Sequence, residues 1–76
     1  MKPPTKYLAR RMRQRRINGT EIDDVLESPE TVYQSREDHS RTVYLGTTKG
    51  GRRLKVVVLT DDREVVITVA DRDVED

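Results

Sequence analysis

Tyr7, Arg11 and Arg15 recur at every fourth residue, the spacing that aligns side chains along one edge of a helix. Two guanidinium groups one turn apart can grip a single phosphate, because each planar fork donates two parallel hydrogen bonds. That chemistry suits cleavage or binding of RNA. Metal-independent cleavage needs a base for the 2′-hydroxyl, an acid for the leaving oxygen and cations against the charge on phosphorus. Arg11 and Arg15 are candidates for the cationic role. Tyr7 is a candidate proton-transfer group on the same edge, although a free phenol titrates near pH 10. His39 has a more suitable intrinsic pKa but falls in Glu37-Asp38-His39-Ser40, which reads as a turn. Each has a plainer alternative: solvated helix charges, a core-edge tyrosine with a wet hydroxyl, an ordinary exposed histidine.

A second set of residues would hold a nucleic acid rather than react with it. Arg10, Arg13 and Arg16 complete the basic surface of the first helix. Arg41, Arg52, Arg53 and Lys55 flank a predicted hairpin, and strand alternation puts Arg53 and Lys55 on the face opposite Leu54 and Val56. Tyr33 and Tyr44 offer aromatic faces on which bases can stack. With only three aromatic residues in the chain, packing also competes for them.

These residues need elements to position them. Pro3-Pro4 precedes Thr5, a good N-cap, and nothing from Lys6 to Arg16 breaks a helix. Leu8 and Met12 make its narrow apolar stripe; Lys6, Arg10, Arg13 and Gln14 point away. Asn18 and Glu21 form a capping box for a second helix, and Ile17 and Ile22 occupy the positions of a hydrophobic staple. Ile22, Val25 and Leu26 continue the apolar face until Ser28-Pro29 ends the helix. This second helix is acidic, which disfavours a DNA-reading helix-turn-helix.

The remainder reads as strands over Thr31–Arg36, Arg41–Thr48, Arg52–Thr60 and Glu64–Ala70. Turns are expected at Lys49-Gly50-Gly51 and Asp61-Asp62-Arg63. Leu54, Val56 and Val58, with Val65, Ile67 and Val69, are the expected inward sets. Short links predict an α+β domain: two N-terminal helices packed on one face of a four-stranded antiparallel meander sheet. The chain reads as one domain over 1–76, with 1–4 and 71–76 frayed.

Composition narrows the function classes. The 76 residues contain no cysteine and one histidine, so neither a thiolate nucleophile nor a metal site rich in cysteine or histidine is expected, and no cofactor is implied. No apolar run approaches the ~18 residues of a membrane span, and Met1-Lys2-Pro3-Pro4 does not begin a signal peptide. The expectation is a cytoplasmic domain without membrane contact. The net charge of +1 is a balance of blocks. Residues 1–20 carry +7, 21–38 carry −6, 39–60 carry +5 and 61–76 carry −5. Such blocks either attract one another in the fold or build separate basic and acidic faces.

The order α-α-β-β-β-β, together with specific words, resembles a family of small prokaryotic domains, the domain of unknown function 4258. The words are Arg11-Met12-Arg13-Gln14-Arg15-Arg16-Ile17 and Glu21-Ile22-Asp23-Asp24-Val25-Leu26-Glu27-Ser28-Pro29. Tyr44-Leu45-Gly46, Gly51-Arg52-Arg53-Leu54-Lys55-Val56-Val57-Val58 and Val65-Val66-Ile67-Thr68-Val69 follow, so the resemblance spans residues 5–70. It implies a fold allied to RelE-like and BrnT-like toxin ribonucleases and, with it, a small antitoxin partner. Members often carry histidine where this chain has Tyr7, whereas Arg11 and Arg15 match the pattern.

Two readings from different classes follow. In one, a RelE/BrnT-like toxin-type domain binds RNA through the basic helix and hairpin and cleaves it without metal. In the other, a non-catalytic module of the same fold binds a protein or nucleic acid, or forms a homodimer that shields an open sheet edge. Tyr7 favours the second; the arginine pair and the +7 block favour an anionic partner in both.

Overall fold

The structure, a computed structural model, describes residues 1–73. Thr5 starts α1 (Lys6–Arg15) by accepting the Leu8 N–H on its hydroxyl at 3.1 Å. The helix ends in a Schellman turn, with Ile17 N–H donating to Met12 C=O and Arg16 N–H to Arg13 C=O. Arg16 takes the left-handed conformation that this turn requires, at φ 55°. The turn swings the buried Ile17 towards the core. The capping box then forms as expected: Asn18 N–H donates to Glu21 Oε1 at 3.0 Å, and Glu21 N–H to Asn18 Oδ1 at 2.9 Å. Helix α2 (Gly19–Glu27) follows, with Ile22, Val25 and Leu26 buried.

Four strands complete the chain: β1 (Thr31–Gln34), β2 (Arg41–Thr47), β3 (Arg53–Leu59) and β4 (Asp62–Asp71). They form an antiparallel meander in the order β1-β2-β3-β4. Gly51, at φ 89°, supplies the left-handed residue of the β2–β3 turn. The core lies between the sheet and both helices, joining Leu8, Ile17, Ile22, Val25 and Leu26 to Leu54, Val56, Val58, Val66 and Val69. Helix α2 approaches β2 closely enough that a Cβ on Gly46 would stand 3.1 Å from Val25 Cγ1. Glycine is what that contact admits.

Two expectations about β4 need correction. The β3–β4 reversal uses Thr60 and Asp61, so that Asp62 already pairs with Leu59 and Arg63 lies within the strand. The inward set of β4 is Val66 and Val69, not Val65, Ile67 and Val69. Val58 pairs with Val66 and Val57 with Thr68, which leaves Ile67 as an extra residue in a β-bulge. One inserted residue reverses the alternation on one side of it, so Val65 and Ile67 are only half-buried.

The ends are also more ordered than a frayed chain. Lys2 N–H donates to Glu64 C=O at 2.9 Å, and Asp71 is the last residue of β4. Arg72 pairs with Glu30, and Asp73 with Arg53. Residues 74–76 of the expected frayed end lie outside the described residues. Among the described residues, no helix is long and apolar enough to cross a membrane.

The left-handed Arg16 provides a stability test. A residue with a Cβ is disfavoured there by roughly 1 kcal/mol. Arg16→Gly is therefore expected to stabilise the fold by about 0.5–1 kcal/mol in urea unfolding, whereas Arg16→Ala should bring no comparable gain.

Candidate nucleic-acid interface

Both helices cover the same face of the sheet, so the opposite face is open. Strand register places its residues in rows. Tyr33 on β1 stands opposite Val43 on β2, Val43 opposite Val57 on β3, and Val57 opposite Thr68 on β4. The next row runs Thr31, Leu45, Lys55 and Ala70. These side chains alternate with the core residues Leu54, Val56 and Val69 and therefore point away from the helices. Val43, Val57 and Ala70 are nonetheless buried, although they lie outside the main core cluster. The open face thus has an apolar floor, with Tyr33 exposed at one side and Arg53 and Lys55 at one end.

Helix α1 packs along β4, the edge of the sheet. This brings Arg11 past that edge to a cavity of about 40 Å³ lined also by Lys55, Val57, Thr68, Val69 and Ala70. The volume admits about three water-sized groups, the scale of phosphate oxygens rather than of a base. The Thr68 hydroxyl oxygen is buried there without a hydrogen-bond partner. An arginine, a lysine and a spare hydroxyl in one small cavity form a donor set suited to an oxyanion.

The other predicted residues separate into distinct environments. Arg15 does not line the Arg11 cavity; it is half-buried near Asp71, where its charge helps hold that carboxyl in its ionised form. Arg52, expected to face a nucleic acid, is turned inward. Its Nη1 donates to Arg16 C=O at 2.6 Å and its Nη2 to Arg15 C=O, closing the end of α1. The same guanidinium donates to both Asp71 oxygens, at 2.8 and 3.1 Å, and stands 3.5 Å from Glu21. It therefore ties together α1, the start of α2, the β2–β3 hairpin and the end of β4.

Tyr44, expected to stack bases, pairs with Val56 and packs against the core on the helix side. Arg10, Arg13 and Arg16 are exposed on or just past α1. Arg41 pairs with Asp38 at 3.3 Å inside the β1–β2 turn. Arg53 stays on the open face, 3.3 Å from Asp73. His39 lies in the β1–β2 turn, where its carbonyl accepts from Gln34 and Thr60. Thr60 is three residues along β3 from Val57, about 10 Å away, so the histidine stands off from the Arg11 cavity. Tyr7 remains on the edge of α1 one turn before Arg11 and is 58% exposed.

Sequence reasoning missed Thr68 and Asp71. Thr68 sits inside a run of aliphatic residues, and its outward direction depends on the bulge at Ile67. Asp71 opens an acidic stretch that reads as a tail. Among the described residues, no group of histidine, cysteine and carboxylate side chains could hold a metal ion.

A two-helix, four-stranded α+β domain with an open sheet face and a basic cavity at its edge is the class that these features define. The family model for a domain of unknown function (DUF4258) matches residues 5–71, and the chain belongs to that family. Searches of curated proteins and of solved structures return no match.

The Arg52 knot gives a pH prediction. Hydrogen bonds from Arg52, then its charge and that of Arg15, hold Asp71 below the ordinary aspartate range. A depressed pKa stabilises the fold above the unfolded value, 3.8, and that contribution disappears as pH falls through the folded value. Arg52→Ala is expected to cost about 2–3 kcal/mol near neutral pH. Below about pH 4 the difference from the wild type should shrink, as read by urea midpoints across pH.

Proposed function

We propose that this domain binds single-stranded RNA across the open sheet face, with one phosphate held at the Arg11 cavity. The observation that carries this reading is the row Tyr33, Val43, Val57, Thr68, which ends at Arg11 and Lys55. Neighbouring strands are about 4.8 Å apart, so Tyr33 and Thr68 are separated by about 14 Å. A strand of RNA lying across the sheet would stack a base on Tyr33 and present its backbone to Arg11, Lys55 and the Thr68 hydroxyl. An apolar floor with an aromatic platform and a cationic rim is the usual composition of a single-strand binding surface. The exposed arginines of α1 extend the positive field around it.

The finer reading is a RelE/BrnT-like toxin-type domain that cleaves the bound RNA without metal, and whose open face a small antitoxin covers. Cleavage would use Tyr7 for proton transfer, because Tyr7 shares the helix edge of Arg11 and His39 stands away from it. Arg11 and Lys55 would offset the charge that builds on the phosphorus oxygens. Binding without cleavage has the stronger support, since the open face offers cations and an aromatic ring but no well-placed base.

A fluorescent single-stranded RNA tests both. Affinity should fall steeply with salt, with a log–log slope near −0.7 per phosphate contact. Arg11→Gln and Lys55→Gln should each weaken binding by about tenfold and make that slope shallower by about 0.7. Salt-independent affinity, or variants that bind like the wild type, would overturn phosphate recognition at this cavity. If the domain cleaves, the products should carry 2′,3′-cyclic phosphates and Tyr7→Phe should abolish them while retaining binding.

A further inference from the structure

The cavity beside Arg11 limits the shape of an oxyanion as well as its charge. Its volume of about 40 Å³ holds about three water-sized groups. An internal phosphodiester offers two non-bridging oxygens and must leave the cavity along an ester bond on each side. A terminal phosphate monoester offers three such oxygens and leaves along a single ester bond. The small volume therefore fits the end of a strand better than its middle.

The lining also carries more charge than a diester neutralises. Among the described residues it brings two cationic side chains, Arg11 and Lys55, and no carboxylate. A diester bears one negative charge, whereas a monoester bears about 1.5 to 2 at pH 7. The Thr68 hydroxyl oxygen is buried without a hydrogen-bond partner. Such a group is costly to leave unpaired, and a third phosphate oxygen would satisfy it. The location of the cavity agrees. The open-face row Tyr33, Val43, Val57, Thr68 stops at β4, the last strand of the sheet, where α1 packs along it. An RNA strand crossing from Tyr33 runs out of sheet at the cavity, so its end falls there.

Building on RNA binding across the open face, we propose that the cavity of Arg11, Lys55 and Thr68 receives the terminal phosphate monoester of the strand in preference to an internal phosphodiester. Arg11 and Lys55 each take a terminal oxygen, and the Thr68 hydroxyl donates to the third. The anchored end then sets the register in which a base further along reaches Tyr33, about 14 Å away.

Fluorescence anisotropy of one internally labelled single-stranded RNA in three forms tests this: with a 5′-phosphate, with a 3′-phosphate, and with hydroxyl groups at both ends. A phosphorylated form should bind about tenfold more tightly than the hydroxyl-ended form, and the tighter of the two identifies which end is held. Thr68→Val keeps the side-chain shape and removes the hydroxyl. It should reduce that preference about threefold or more, while the urea midpoint of the RNA-free protein stays the same or rises. Hydroxyl-ended RNA that binds as tightly as both phosphorylated forms overturns the inference and leaves RNA binding across the sheet intact. Affinity that is absent or independent of salt for all three forms overturns RNA binding and the inference with it. A preference unchanged in Thr68→Val overturns the assignment of the hydroxyl to the phosphate.

Discussion

The anchoring of α1 to the sheet depends on the guanidinium of Arg52. Helix α1 offers the core little beyond Leu8 and part of Met12, and it carries five cations within ten residues. Such a helix repels itself and has a thin apolar stripe to hold it down. Its C-terminus also presents backbone carbonyls, and Arg16 ends it in a conformation that disfavours side chains with a Cβ. Arg52 answers these problems together by donating to the carbonyls of Arg15 and Arg16 while gripping Asp71 and approaching Glu21. A positive group at the negative end of the helix is favourable, and charged donors make the stronger hydrogen bonds.

That knot has a functional consequence. By fixing the end of α1 to the hairpin and to β4, it sets how the helix lies along the sheet edge. Arg11 sits one turn before Arg15, so its arrival beside Lys55 and Thr68 follows from the same anchoring. The blocks of opposite charge in the chain are partly resolved inside the fold, through Arg52 with Asp71, Arg53 with Asp73 and Arg72 with Glu30. The exposed arginines of α1 are left as the basic surface. Near-neutrality of the whole chain therefore does not argue against an anionic partner.

Local signals were legible wherever the determining atoms lie within a few residues. The Thr5 cap, the Asn18–Glu21 box and the Ile17–Ile22 staple are contacts over three to five positions, and all formed. The Leu54, Val56 and Val58 set also formed, because β3 is a regular central strand with neighbours on both sides. The inward set of β4 was not legible: a bulge is chosen by how two strands pair, and Val65-Val66-Ile67 offers three equally apolar residues. The candidate site was half legible. Helical and strand spacing places Arg11 along the edge of α1 and Arg53 and Lys55 opposite Leu54 and Val56, whereas the outward direction of Thr68 depends on the bulge. Residue type alone gives Arg52 and Tyr44 outward roles, and only their distant partners turn them inward.

The sequence by itself determined the elements, their order, the single helix-covered face and the chain's membership of its family. Those depend on short-range capping, on hydrophobic periodicity and on links too short for any topology but a meander. Tertiary structure alone decided which cations face outward. Arg52 and Arg53 are neighbours of the same type, yet one is half-buried at a four-element junction and the other lies on the open face. Strand alternation sends them to opposite sides, but the fate of Arg52 depends on carbonyls 36 and 37 residues away and a carboxylate 19 residues away. Contacts at such separations are set by packing of the whole chain, and no local pattern records them.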